Sequence, residues 1–243
     1  MKIIVYNTYN DIVIQFQDAY KAEIHTSYQC FKSGSVKNPY TPSVYGVGII
    51  GNKYPISSTG NDKHTKEYNT WLDMVSRCYN KKLKEKYPTY KEAVCCEEWL
   101  LYDNFYEWLH SQENFDRWLN GDKWNIDKDI IVKGNKIYNP KNCCLVPHIV
   151  NCLFVKCDSI RGSLPIGVIK TEKDFGYHAK CRNPFTGKKD YLGNYQTIEK
   201  AFQAYKKHKE DIIKQVAEIE YKNGNITEEC YRAMINYKVE ITD

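Results

Sequence analysis

The sequence predicts an α+β fold assembled from small segments of different character, and three observations lead there. Residues 1 to about 55 alternate in short β-rich runs. Residues 61 to 155 place apolar side chains at three- and four-residue spacing and end in a strand-turn-strand-helix pattern. From about Leu164, three short strand patterns precede one long helical stripe. The expected parts are a small N-terminal β module over residues 1–60, a ββα domain with flanking helices over 61–157, a three-stranded sheet plus helix over 160–222, and a helix-and-strand tail over 223–243.

In the first part, KIIVY, DIVIQF and AEIHT read as strands divided by Asn, Asp and Gly, and NPYTPSVYGVGIIGNKYP holds enough Pro and Gly to block a helix. In the second, Tyr68, Trp71, Leu72, Val75 and Cys78 form one helical face and Phe105, Trp108 and Leu109 another. All five tryptophans, Trp71, Trp99, Trp108, Trp118 and Trp124, fall here and read as core. The third part offers strands over 166–171, 176–182 and 188–195, joined by EKDFG and NPFTG. Thr197 is the expected N-cap of the helix that follows, with Glu199 in its first turn. Ile198, Ala201, Phe202, Tyr205, Ile212, Val216 and Ile219 make the stripe that covers one sheet face. In the tail, Thr227 to Tyr237 reads as a short helix, and KVEIT as a strand able to pair with an open edge of the N-terminal module.

The composition holds no run of eighteen apolar residues and no leader pattern, which predicts a cytoplasmic protein with no membrane partner. Ten cysteines, single or in the adjacent pairs Cys95-Cys96 and Cys143-Cys144, read as free thiols; Cys78, Cys95 and Cys143 are the cluster with which a zinc site would have to be built. The net charge of +5 is uneven. Residues 156–222 carry fourteen Lys/Arg against nine Asp/Glu, an asymmetry that favours a polyanionic partner such as nucleic acid. Alternation on the middle strand puts Tyr177, Ala179 and Cys181 under the helix and leaves His178, Lys180 and Arg182 outward, beside Lys188 or Lys189. Such a face can enter a DNA groove, or can be an ordinary solvated sheet face.

The stretch WNIDKDIIVKGNKIYNPKNCCLVPHIVN sets Asp127, Lys128 and Asp129 inside a strand pattern running from Asn125 to Val132. Gly134-Asn135 marks a turn, Ile137 and Tyr138 resume a strand, Pro140 ends it, and Pro147 to Phe154 reads as a helix with Pro near its first position. A strand and a helix so joined can bring Asp127 and Asn151 to one point, where their oxygens suit Mg²⁺ (or Mn²⁺), an ion that completes its octahedron with water and substrate phosphate.

Two resemblances extend these readings. Residues about 163 to 221 resemble the AP2 DNA-binding domain at Gly167, Val168, Tyr177, Ala179, Leu192, Gly193, Tyr195, Thr197, Glu199, Ala201, Ala204 and Tyr205. That resemblance implies a sheet lying in the major groove of double-stranded DNA with the helix behind it. Its first strand departs from the family, with Ile169 and Thr171 where arginines are usual. Arg182 is left as the candidate base contact, and Lys170, Lys180, Lys188 and Lys189 as phosphate contacts.

Residues about 66 to 155 resemble the HNH nuclease motif in its phage and homing-endonuclease form, through Trp71, Met74, Arg77, Cys78, Val94 to Trp99, Asp127 to Asp129, Tyr138, Pro140, Asn142 and Cys143. The resemblance implies that Asp127 and Asn151 hold the metal and that Asn142 braces the loop. Where the family carries its histidine general base, this chain has Lys128. A histidine at about 6.5 is largely neutral near pH 7, whereas a lysine at about 10.4 gives up its proton at a cost of about 4–5 kcal/mol, and flanking carboxylates add to it. Lys128 therefore suits a phosphate contact better than proton abstraction; His148, three residues before Asn151, is the other candidate base. Three functions follow as expectations: a metal-dependent nicking enzyme with AP2-like recognition, a nuclease-dead DNA-binding regulator in which Asp-Lys-Asp is a surface salt-bridge pattern, and a phage anti-defence protein that meets a protein partner through the N-terminal module.

Overall fold

The structure, a computed structural model, describes residues 1–58, 63–121, 123–155, 162–170 and 176–243. Thr171, most of the EKDFG turn and the expected boundaries at 60 and 157–160 lie outside the described residues. The architecture is mixed α and β, divided into two compact units. One comprises Met1–Ser111 with Lys136–Pro140, the other Gln112–Asn135 with Lys141–Asp243.

The first unit opens with β1 (Lys2–Thr8), β2 (Asp11–Gln15) and β3 (Glu23–Thr26), an antiparallel meander in that order. Its buried line is on the central strand, where Ile12 and Ile14 are fully enclosed, while the outer strand β1 shows Ile4, Val5 and Tyr6 to solvent. α1 (Tyr28–Ser33) follows, capped by Ser27, whose side chain accepts the Cys30 N–H, and ended by Gly34 in the left-handed region. The Pro- and Gly-rich stretch after it forms no helix, and Ile49 is fixed by accepting from the Tyr102 N–H and donating to Leu100.

α2 (Lys66–Tyr79) begins where Thr65 accepts the Tyr68 N–H and buries Tyr68, Trp71, Met74, Val75 and Cys78. α3 (Lys81–Lys86) continues it after Asn80. β4 (Val94–Cys95) and α4 (Tyr102–His110) complete the run, with Phe105 and Leu109 buried. Trp71 and Trp99 sit at the centre, the Trp71 indole donating to the Trp99 carbonyl at 2.8 Å, so its one polar atom is satisfied without solvent.

α5 (Phe115–Asn120) and β5 (Trp124–Asp127) belong to the second unit; β6 (Ile137–Tyr138) returns to the first, parallel to β4. Two expectations are corrected here. The strand expected to reach Val132 stops at Asp127, because the Asp127 Oδ1 accepts the N–H groups of Asp129 and Ile130 and turns the chain. Its partner is β7 (Cys144–Pro147), not Ile137–Tyr138: Cys144, Leu145 and Val146 are each buried, and Ile126 faces Leu145 across the antiparallel pair. α6 (His148–Asn151) follows directly and passes into a 3-10 turn over Cys152–Phe154.

β8 (Val168–Lys170), β9 (Tyr177–Arg182) and β10 (Lys189–Tyr195) form an antiparallel sheet with β9 central, and α7 (Ile198–Lys222) crosses it, its N-cap Thr197 accepting the Lys200 N–H. α7 is longer than the sheet it covers, since 25 residues span about 38 Å. Ala201, Phe202 and Tyr205 pack among the sheet residues, whereas the C-terminal half meets α8 (Glu228–Ile235). The stripe rotates accordingly: Ile213 and Ala217 are buried, and Ile219, expected inside, is exposed.

KVEIT is the third correction. It forms no strand; Val239 enters the core of the second unit, its N–H held by Glu210 Oε1 and its carbonyl by Lys206 Nζ. That core is continuous from Ile130, Cys144, Val146 and Val150 through Val168, Ala179 and Phe202 to Met234, so the ββα residues, the C-terminal sheet and the tail share one hydrophobic interior.

Candidate functional site

Of the Asp-Lys-Asp triplet, only Asp127 is in the strand. It is 9 % exposed, and its backbone bonds at 2.8 and 2.9 Å make it the cap of the turn that follows. Burial, and then the charge of the neighbouring Asp129 carboxylate, push its carboxyl up to about 6. Lys128 Nζ lies 3.1 Å from Asp129 Oδ2, and Asn135 Nδ2 donates to the Lys128 carbonyl at 2.7 Å. The triplet is thus a folded turn held by its own side chains, which corrects the reading of it as charge along a strand.

α6 packs on β5 and β7. His148 Nδ1 lies 3.3 Å from Asn125 Oδ1, and Asn125 shares a strand face with Asp127 two residues on. Asn151 lies three residues along from His148 and closes α6, half-buried; no hydrogen bond joins it to Asp127. Asn142 lies just before β7, half-buried. His148 is exposed, and its Nε2 lies 3.1 Å from Cys152 Sγ. Among the described residues no group of three His, Cys, Asp or Glu side chains is placed to hold a metal ion. The oxygens that the turn itself brings together are those of the Asp127 and Asp129 carboxyls. Sequence reasoning missed Asp129 as a member because it placed the triplet on a straight strand, where alternation would turn Lys128 away from both acids but say nothing of a closed turn.

On the C-terminal sheet, cross-strand register sorts the side chains. Lys189 faces Arg182, Tyr191 faces Lys180, and Ile169 and Asn194 flank His178, so these seven share the face opposite α7. None of them is acidic. The one acid of β10, Asp190, lies opposite Cys181 on the helix side, where it meets His208 Nε2 and Asn183 Nδ2, each at 3.0 Å. Tyr191 is 57 % exposed, its ring edge-on to His178.

Two of the expected contacts sit elsewhere. Lys170 pairs with Tyr177 and so alternates toward the helix side, and Lys188 lies in the turn ahead of β10, its N–H on Thr186 Oγ1. Tyr191 reaches the open face in plain alternation with Lys189 two residues before it; the bulge that follows, between Tyr191 and Gly193 with Gly193 at φ +124°, resets the register so that Asn194 rather than Gly193 joins that face.

The chain matches no family model, no curated protein and no solved structure. No helix among the described residues is long and apolar enough to cross a membrane.

Proposed function

We propose that the protein binds double-stranded DNA through the open face of the C-terminal sheet, with the ββα segment acting as an HNH-like site on the adjacent backbone. The observation that carries this reading is the acid-free face itself: Lys180, Arg182 and Lys189 stand in register around Tyr191, within the span that resembles AP2 domains. Arg182 is the candidate for base edges in the major groove, and Lys180, Lys188 and Lys189 for phosphates.

The turn at Asp127 fits a divalent cation in its donor chemistry. A buried carboxyl beside a second carboxylate is destabilised by like charge, and a cation relieves it. Asp127 and Asn151 would hold Mg²⁺ or Mn²⁺, with Asp129 adjacent; bound there, the ion would supply Lewis-acid activation of water and phosphate. Lys128, tied to Asp129, contributes positive charge for the scissile phosphate rather than a proton acceptor. His148 is the side chain nearby suited to accept a proton.

The same Lys128 pairing favours a second reading, a DNA-binding regulator that does not cut. A supercoiled-plasmid nicking assay with Mg²⁺ or Mn²⁺, paired with a mobility shift, separates the two. The nicking enzyme requires that Asp127→Asn, which keeps an oxygen for both backbone N–H groups, abolish nicking while leaving DNA affinity intact. No nicking by the wild type under either metal sinks the enzyme reading, and Arg182→Ala without effect on affinity sinks the DNA-binding one.

A further inference from the structure

Within the second unit a cleft of about 1310 Å³ runs from α6 past the β8 edge of the sheet. Its rim carries Lys123, Lys170, Lys180, Arg182, Lys189 and Lys209, and among the described residues no Asp or Glu lines it. Its floor is apolar, made by Ile149, Leu153, Val155, Leu164, Ile166 and Val168. Lys209, on α7, lies near Cys181 and Cys152; burial lowers its pKa, and no carboxylate among the described residues pairs with it. A half-buried cation without an anion, in a cleft with six positive groups, is a place prepared for negative charge brought from outside.

The size and the floor decide what brings it. A small-molecule pocket is about 300–1,000 Å³, so this cleft suits an oligomeric ligand. Duplex DNA could use the rim, but its bases are stacked inside the helix and cannot reach an apolar floor. Unpaired bases can, and single-strand sites combine a cationic track with surfaces on which bases lie. Lys180, Arg182 and Lys189 belong both to the rim and to the open sheet face, so the cleft is continuous with the surface assigned to duplex.

We propose that this cleft binds unpaired DNA, so that the protein prefers a duplex with a single-stranded extension over a continuous one. The preference for such a junction rests on the duplex-binding reading above; the cleft's own affinity for unpaired DNA does not.

The test is fluorescence anisotropy of the full chain with three probes, a blunt duplex, the same duplex with an overhang, and an oligothymidylate, against wild type, Lys209→Met and Val155→Glu. Val155 is 55 % exposed and Lys209→Met removes a buried charge, so both variants should fold. The wild type should favour the overhang over the blunt duplex by about tenfold, and either substitution should erase that margin while blunt-duplex affinity changes by less than about twofold. Blunt-duplex binding with no overhang preference, or a preference that survives in both variants, overturns the cleft and leaves the sheet reading intact. Oligothymidylate binding that both variants lose, without any duplex binding, upholds the cleft and overturns the sheet reading. Inorganic polyphosphate displacing oligothymidylate at equal charge would show that the floor is unused and also overturns the proposal.

Discussion

Asp103 shows how one buried charge shapes the first unit. The residue is 1 % exposed on α4, and burial raises its carboxyl above the ordinary 3.8, opposed by the Tyr40 hydroxyl at 3.3 Å and by backbone bonds from Lys53 and Asn52. Gly51, at φ +77°, lies so close that any Cβ there would collide with the carboxylate. The native state therefore binds the Asp103 proton more tightly than the unfolded chain does. Its contribution to stability is complete below about pH 4 and is lost as the pH rises through the raised native value. The stability of wild type relative to Asp103→Asn should accordingly fall as the pH goes from about 4 to 8, read from urea midpoints; a difference that does not move with pH refutes the assignment. Nothing in the local sequence signals this acid as buried, because YDNFYEWLH reads equally well with Asp103 on the wet side of the helix.

At the scale of elements, the C-terminal sheet and helix meet at Gly167, which stands at φ +78° with the Tyr205 ring where a Cβ would be. Ala179 and Ala201, both fully buried, sit in the same interface of sheet and helix. Gly167→Ala combines a left-handed backbone with a collision against a packed ring, and should cost about 2–4 kcal/mol, seen as a lower urea midpoint at unchanged m-value. This region was the most legible in the sequence. The period-two strands, the Thr197 cap and the apolar stripe over Ala201, Phe202 and Tyr205 are local signals, and local signals decided the outcome. The ββα segment was less so. Its helix and first strand were readable, but the choice of β7 over β6 as partner depends on which apolar run is enclosed, a long-range matter that pits Ile137-Tyr138 against Cys144-Leu145-Val146. The bulge after Tyr191, which sets Asn194 in place of Gly193 on the open face, is a single-residue slip, invisible to any strict alternation.

For the whole molecule, a net charge of +5 is small, so its placement has to do what its size cannot. On the proposed DNA-binding reading, Lys180, Lys188 and Lys189 would make about three phosphate contacts, and hence a slope of about −3 in log affinity against log salt concentration. Lys189→Ala should lower that slope by about one and weaken all duplexes alike, whereas Arg182→Ala should also narrow the difference between sequences. A slope near zero would remove the phosphate contacts altogether. The division of the chain has an effect of another kind. Residues 136–140 belong to the first unit while the stretches on either side of them belong to the second, so no single cut separates the two. A fragment ending at Ser111 would leave the Val94 and Cys96 N–H groups without the Lys136 and Tyr138 carbonyls that receive them. During synthesis the first unit must wait, unfinished, until Pro140 has left the ribosome, by which time the strand bearing Asp127 has already been made.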